Sequence, residues 1–300
     1  MEPFCNENPI SSFKEVQRLF KKEIGKDILD IFEYFEEKPL AVGSIAQVHK
    51  AKIIDGPYVA VKIQHPEIIY QTKGDVHVVK QSVALAEYFF EGVKLKWIHK
   101  EFEKNMLEEV DFENEKRNIE KALKLFRKDK RVVIPRLHKD YCSKRVLTMT
   151  FEEGASICDV NYRKQNNIKV KEISNLLNSV FNKQIFEYGF VHADPHHGNL
   201  FIRKEWENNR PKLRLVLLDM GLMINLDKKF ISDYSHLWRG IYTQNHKIIE
   251  DSCKELGVVD YKVFTSMVTG RDFNEVMNPQ NISDTEKRLK MMKGKNVFIF

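Results

Sequence analysis

The sequence predicts a two-lobed α+β fold: a small β-rich lobe with extra helices, then a mainly helical lobe. Three observations predict it. Two apolar stretches, 45–52 and 58–64, flank Asp55-Gly56-Pro57 and read as a β-hairpin. The cleanest helical repeat lies in the second half, where Ile173, Leu176, Leu177, Val180, Phe181, Ile185 and Tyr188 share one face and Gly189 closes it. Between these blocks, 145–151 reads as a strand ending in Glu152-Glu153-Gly154, which puts the lobe boundary near Gly154. The expected organisation is a helical extension over 1–38, the β-rich lobe over 39–154 and the helical lobe over 155–300, the last one truncated.

Composition narrows the function classes. With 42% hydrophobic residues, 13 Gly and 9 Pro in 300 residues, the chain reads as globular. Its net charge of +6 is spread out, not gathered into the stripe a nucleic-acid binder uses, so no nucleic-acid partner is expected. Cys5, Cys142, Cys158 and Cys253 stand apart, which argues against a zinc site or disulfide scaffold and for a reducing compartment. No run approaches the roughly 18 apolar residues of a membrane span, and the first residues show no targeting leader.

The elements follow in order. Ser12-x-x-Glu15 is a capping box opening a helix through Phe20, and Ile28, Ile31, Phe32 and Phe35 repeat at helical spacing as a second helix. Ala41-Val42-Gly43-Ser44 is a small-residue turn before the hairpin. In the return strand Val59, Val61 and Ile63 share one face while Ala60 and Lys62 share the other. A lysine there is costly unless paired, and snorkelling at a sheet edge is the plain alternative. Val78, Val79, Ser82, Leu85, Ala86 and Phe89 suggest a helix, and a long one spans 98–126. The long helix carries Glu108, Glu109, Asp111, Glu113 and Glu115, with Glu108, Asp111 and Glu115 on one face. A solvated acidic face explains them on the helix alone; a partnership with Lys62 is the sharper reading. Short strands at 200–202 and 213–218 bracket a charged, Asn-rich loop over 204–212. Past Leu222, Phe230, Ile231, Tyr234, Leu237, Trp238 and Ile241 make a helix face. The end, with Lys287, Arg288, Lys290, Lys293 and Lys295, reads as a solvated basic helix or a contact with anionic lipid.

The chemistry concentrates in His192-Ala193-Asp194-Pro195-His196-His197-Gly198-Asn199 and Asp219-Met220-Gly221. In phosphotransferases of the protein-kinase fold, one Asp orients the acceptor hydroxyl, while an Asn five residues later and the Asp of a D-x-G turn hold Mg²⁺ against nucleotide phosphates. A hard cation takes oxygen donors, which Asn199 and Asp219 supply from separate turns. Each motif alone is a commonplace turn; together, one after a helix and one after an apolar strand, they carry weight. Val59-Ala60-Val61-Lys62 matches the phosphate-binding lysine strand of the same fold. A metal site built from His192, His196 and His197 is the weaker reading.

The segments Leu40-Ala41-Val42-Gly43-Ser44-Ile45-Ala46-Gln47-Val48-His49-Lys50-Ala51, 59–66, Glu109-Val110-Asp111-Phe112-x-x-Glu115 and 192–199 together resemble the UbiB/aarF-domain atypical kinase family across about 28–270. The resemblance implies a two-lobed protein-kinase-like fold and a Mg²⁺-ATP site. Lys62 would contact the α/β phosphates and Glu115 would pair with it. Asp194 would be the catalytic-loop aspartate, and Asn199 and Asp219 the metal ligands. Ala41, Val42, Gly43 and Ser44 would form the nucleotide loop, Met149 and Phe151 the hinge, and Glu109 and Asp111 the family's E-x-D signature. Gly43, Thr150 and His197 depart from the usual Ala, Glu and Pro, and the upstream Lys-x-Gly-Gln signature is absent, so the usual partner of Glu109 and Asp111 is not in this chain, either cut away or lacking from this protein.

The resemblance further implies ATP hydrolysis or phosphotransfer to a small or lipid-linked acceptor, a lipid or quinone-like partner, peripheral membrane contact and a mitochondrial setting. The missing Ala-Pro-Glu and the early return to helix near Lys228 leave no protein-kinase activation segment. A nucleotide-binding scaffold without turnover and an aminoglycoside- or choline-type small-molecule kinase are the competing readings, and the latter does not explain 41–51 or 109–115.

Overall fold

Ser12 and Glu15 form the expected reciprocal cap. The Glu15 N–H donates to Ser12 Oγ at 3.4 Å, and the Ser12 N–H donates to Glu15 Oε2 at 2.7 Å. Helix α1 (Phe13–Ile24) runs from this cap to Gly25, whose φ of 79° ends it. The computed structural model describes residues 10–89 and 96–278. They fall into two units: residues to 181 together with 192–224, and residues 182–191 together with those from 225 on.

In the first unit the helix expected from Ile28, Ile31, Phe32 and Phe35 is instead a 3₁₀ turn (Ile28–Asp30) followed by strand β1 (Phe32–Phe35). An irregularity between Phe32 and Tyr34 explains the misreading. It turns Phe32 and Phe35 together, with ring centroids 5.6 Å apart, so a strand mimics helical spacing. Then come β2 (Ala41–Val42), β3 (Ala46–Ile53), β4 (Tyr58–Gln64), α2 (Ile68–Phe89), α3 (Lys96–Glu109), α4 (Phe112–Leu125), β5 (Val132–Val133) and β6 (Val146–Thr150). The sheet order is β1-β3-β4-β6, with β2 also on β3 and every pairing antiparallel.

The pleat gives this sheet two different faces. Val59, Val61 and Ile63 are fully buried with Ala51 and Val146 against Val16, Leu19 and Phe20 of α1. Burying each large side chain contributes about 1.5–3 kcal/mol. The alternate residues lie on the other face, where Lys62 stands in register with Val48 and Leu147.

The long helix expected over 98–126 is broken into α3 and α4 at Val110-Asp111. The Asp111 side chain accepts the Glu113 N–H at 3.0 Å, satisfying a helix N-terminus instead of continuing a helix. Gln64 Nε2 donates to the Val110 carbonyl at 2.6 Å, which fixes the break to β4. Glu108, Asp111 and Glu115 therefore do not lie along one helix.

β7 (Ala155–Ser156), α5 (Val160–Gln165), α6 (Val170–Asn182), β8 (Phe190–His192), β9 (Leu200–Glu207), β10 (Arg210–Leu217) and β11 (Met223–Asn225) follow. The loop expected over 204–212 is mostly strand: β9 and β10 pair from Leu200–Leu217 out to Glu207–Arg210 around Asn208-Asn209. Both asparagines have positive φ, 50° and 57°, the twist a two-residue hairpin needs. Charge does not disrupt the strands because Arg203 and Arg214 share Glu205, and Arg214 also pairs with Glu207. A second sheet runs β5-β10-β9-β7.

In the second unit a π-helical turn (Lys183–Tyr188) leads to Gly189, at φ 57°, the closing residue the sequence indicated. Helices α7 (Lys228–Tyr242), α8 (His246–Glu255), α9 (Tyr261–Thr269) and α10 (Phe273–Met277) bury Leu237, Ile249, Cys253 and Phe273. The basic stretch 287–295 lies outside the described residues. No helix among the described residues is long and apolar enough to cross a membrane.

Candidate active site

Lys62 projects from the open face of β4 and meets two carboxylates. Its Nζ donates to Glu115 Oε2 at 2.7 Å and to Asp219 Oδ2 at 2.9 Å. Glu115 is 1% exposed and Lys62 8%, whereas the Asp219 side chain is 35% open. Burial pulls the Lys62 ammonium down, but Asp219 and Glu115 outweigh it and hold the group above its ordinary value. Burial and the Asp219 charge push the Glu115 carboxyl up to about 7 in spite of Lys62. Burial also opposes ionisation of Asp219, yet Lys62 and the Gly221 N–H keep its carboxyl below the usual value.

The break between α3 and α4 makes this triad: with Asp111 as cap, the first turn of α4 aims Glu115 inward. The two E-x-D residues thus separate in role. Asp111 caps the helix and stands 3.7 Å from Arg117, while Glu109 lies close enough to the triad to feel its charges. Burial, then the Asp219 and Asp194 charges, raise the Glu109 carboxyl against the pull of Lys62.

The two loop motifs share one end of the β9–β10 ladder. Leu200 and Leu217 are register partners, and the Leu218 N–H donates to the Asn199 carbonyl at 3.0 Å. Register thereby sets Asn199 beside the strand end that delivers Asp219. Asn199 Nδ2 donates to the Asp194 carbonyl at 3.2 Å, leaving its amide oxygen directed elsewhere. Asp219 Oδ1 accepts the Gly221 N–H at 2.7 Å, and a Cβ on Gly221 would sit 3.1 Å from that oxygen. The Ala193 N–H donates to the Leu222 carbonyl at 3.0 Å, tying the two turns together. His192 is buried beneath them and accepts the Asp194 N–H on Nδ1 at 3.2 Å. Burial lowers its pKa although Asp219 and Asp194 oppose this, so it remains a neutral packed group. Asp194 itself is exposed, 3.6 Å from His196 Nε2.

Asp219 therefore acts on both Glu109 and Glu115, and Asp194 on Glu109, around the Lys62 ammonium. That surplus of negative oxygen fits a hard divalent cation. Among the described residues no cluster of three or more His, Cys, Asp or Glu forms an all-protein metal cage. Mg²⁺ is ordinarily held by one or two protein oxygens, with phosphates and waters completing the shell. Asn199 and Asp219 fit that partial role.

The loop 41–44 is exposed apart from the half-buried Val42, and its backbone is fastened from behind. The Gly43 N–H donates to the Ala46 carbonyl at 2.8 Å, and His65 Nε2 lies 3.1 Å from the Gly43 carbonyl. Ser11 Oγ is 2.8 Å from His65 Nδ1 and its N–H donates to Gln47 Oε1 at 2.9 Å. Gln47 Nε2 donates to the Ser11 carbonyl at 3.2 Å and meets His49 Nε2 at 2.9 Å, while His49 Nδ1 meets the Glu36 carbonyl at 2.7 Å. A Cβ at Gly43 would meet only the Ala46 carbonyl, at 3.5 Å. The departure from alanine there is no conformational requirement.

Near the proposed hinge, Met149 is buried in β6 opposite Ala60. The Phe151 N–H is spent on the Tyr58 carbonyl at 3.2 Å. Thr150 takes up local bonds, with its N–H to the Arg136 carbonyl at 2.8 Å and its hydroxyl to Glu152 at 2.9 Å. Lys50 lies over the rings of Tyr58 and Phe151, 4.9 and 4.6 Å from their centroids. Two grooves, of about 500 and 830 Å³, share Thr150 and Arg203; neither is lined by Lys62, Glu115 or Asp219.

Sequence reasoning missed Ser11, Gln47, His49 and His65 behind the loop, and Asn114 and Asn118 on α4. The first group did leave a signal. Gln47 and His49 occupy the core face of a strand otherwise filled by small or apolar residues, where a polar group needs a partner.

Comparison with known proteins agrees with this geometry. Residues 4–253 match the family model described as the ABC1 atypical kinase-like domain. AarF domain-containing protein kinase 1 of Mus musculus is 38% identical over 269 residues, 89% of this chain and 51% of that protein. AarF domain-containing kinase 1 of Drosophila melanogaster is 36% identical over 279 residues, 92% and 53%. The chain spans about half the length of these curated relatives. A solved structure from Mycobacterium tuberculosis, described as the complex of Rv3197 with erythromycin, superposes with a TM-score of 0.71 at 20% identity over 97% of this chain and 73% of that one. The expected kinase-like α+β fold is the one found.

Proposed function

The chain belongs to the ABC1 atypical kinase-like family, and on that premise we propose that it binds Mg²⁺-ATP and hydrolyses it or transfers its terminal phosphoryl group to a small or lipid-linked acceptor. The single observation that carries the reading is the Lys62 ammonium held between Glu115 and Asp219 within a surplus of carboxylate. Lys62, fixed by Glu115, would meet the α/β phosphates. Asn199 and Asp219 would hold Mg²⁺, which when bound would neutralise phosphate charge. Asp194, exposed on its loop, would orient the acceptor hydroxyl and receive its proton. Catalysis then comes from positioning and electrostatics, with no covalent intermediate on the protein.

A small or lipid-linked acceptor is favoured over a peptide because α7 begins at Lys228, soon after Gly221, leaving no activation segment to dock one. The mitochondrial setting, the quinone-like or lipid partner and the membrane contact rest on the family resemblance alone. The decisive measurement titrates MgATP and MgADP into wild-type and Asp219→Asn protein, then follows ATP turnover with and without lipids or quinone-like phenols. Metal-dependent binding lost in Asp219→Asn, with turnover raised by one acceptor class, is expected. Binding without turnover under every condition favours the scaffold reading; Asp219→Asn behaviour identical to wild type removes the site.

A further inference from the structure

The turn carrying Asp219 is fastened to α4 by more than the Lys62 bridge. Asn118 Nδ2 donates to the Met220 carbonyl at 2.9 Å, and Asn114 Nδ2 donates to the Gly221 carbonyl at 3.3 Å. Both acceptors are carbonyl oxygens, so each position needs a donor, which the Asn amide supplies and an ionised aspartate would not. Positions 114, 115 and 118 share one face of α4, so a single helix face meets the Lys62 ammonium and two successive peptides of the turn. The Met220 amide also lies close enough to Glu115 to favour its charged form. The helix itself cannot shift freely, because Phe112, Ile119 and Ala122 are fully buried. Met220 is 1% exposed, which anchors the turn from its own side.

We propose that Asn118, assisted by Asn114, is a positioning residue that clamps the Asp219-Met220-Gly221 backbone to α4 and so pre-sets the Asp219 carboxylate for metal. In this arrangement the backbone of the turn cannot swing away from α4 without breaking two side-chain-to-backbone bonds, while the Asp219 carboxylate is held by its bridge to Lys62. Little reorganisation remains to be done when the cation arrives, and pre-organisation of this kind appears as affinity. The clamp gives this fold a fixed metal-binding turn in the absence of an activation segment to hold one. The proposal rests on the Mg²⁺-nucleotide reading, so its test carries a readout that needs neither metal nor nucleotide.

Mg²⁺ is titrated by calorimetry into wild-type, Asn118→Leu and Asn114→Ala proteins saturated with ADP; ADP affinity is measured separately without metal. In protein free of both, amide exchange is followed across 219–222. Losing one part-buried hydrogen bond predicts a roughly tenfold weaker Mg²⁺ affinity for Asn118→Leu and a smaller loss of the same sign for Asn114→Ala. Metal-free ADP affinity is expected within about twofold of wild type, with exchange in the turn faster by a factor similar to the metal effect. Unchanged Mg²⁺ affinity and exchange in Asn118→Leu overturns the clamp. Metal-free ADP affinity and melting temperature falling in step with Mg²⁺ affinity overturns it too, since general loss of packing does that. If Asn118→Leu fails to fold, the half-buried Asn114 decides by the same criteria. Wild-type protein that binds no ADP at millimolar concentration overturns the functional reading, and the exchange comparison then judges the clamp by itself.

Discussion

The loop at 41–44 and the triad around Lys62 lie at two places along the same small sheet, and they are held by opposite chemistry. Behind the loop, Ser11, Gln47, His49 and His65 satisfy one another and the Gly43 and Glu36 carbonyls through neutral hydrogen bonds. Around Lys62, both hydrogen-bond partners of the ammonium are carboxylates and negative charge is in excess. A neutral network is complete without a ligand and fixes backbone geometry by direction. A charged centre with surplus carboxylate depends on the balance of its charges. The contrast separates a network that shapes the loop from a charged cluster built around Lys62.

The strongest way to break that contrast is to remove its ammonium. Lys62→Met leaves Glu115 and Asp219 uncompensated, and breaking a buried pair from one side typically costs about 3–5 kcal/mol. The expected result is a large fall in urea midpoint together with loss of MgADP binding. A variant as stable as wild type would show that the triad's charges are solvated, not coupled.

The pH dependence of the two regions comes next and runs in opposite directions. The Glu115 carboxyl titrates near 7 in the folded chain against an ordinary 4.5, so the folded protein keeps a proton that the unfolded chain has released. Its contribution to stability is full below 4.5 and is lost as pH rises to about 7; urea midpoints of metal-free Glu115→Gln should lack that decline. His49 behaves the other way. Burial holds its pKa below the usual 6.5, and the Ser11 backbone pins the Gln47 amide nitrogen toward His49 Nε2, so a second ring proton has nowhere to bond. Its contribution is present above 6.5 and is lost as pH falls below that value. Equal acid sensitivity in wild type and His49→Phe would remove the neutral network from the comparison.

The smallest effect sharpens the comparison on the loop side. Gly43→Ala meets only ordinary contact, so the chain should gain about 0.4–1 kcal/mol through a less free unfolded state and keep its nucleotide affinity. A clear loss of affinity by isothermal titration would mean that the loop needs a mobility its hydrogen bonds do not suggest.

Much of this was legible in residue order. Strand β4 begins and ends where alternation put it, and Lys62 stood out because a cation on an apolar strand demands a partner. Gly189 stopped its helix as expected. The readings that failed did so where local pattern admits two answers. A bulge made Phe32 and Phe35 of β1 imitate a helix, and two asparagines at positive φ turned an apparently charged loop into a twisted hairpin. The acidic run looked like one helix because a capping aspartate and a helical aspartate are the same letter; the choice depends on what the neighbouring strand offers, here the Gln64 bond to Val110.

By itself the sequence determined the chemical parts list: an ammonium, carboxylates and an amide oxygen at spacings that suit a nucleotide and Mg²⁺, carried on elements whose periodicity is local. Only the tertiary structure decided which acidic residue reaches Lys62, which one merely caps a helix, and which asparagines grip the Asp219-Met220-Gly221 turn. The physical reason is that periodicity and turn chemistry act over a few residues. The Lys62–Glu115, Lys62–Asp219 and Asn118–Met220 contacts instead join positions 53, 157 and 102 residues apart, and these form only when separate helices, strands and turns are packed together.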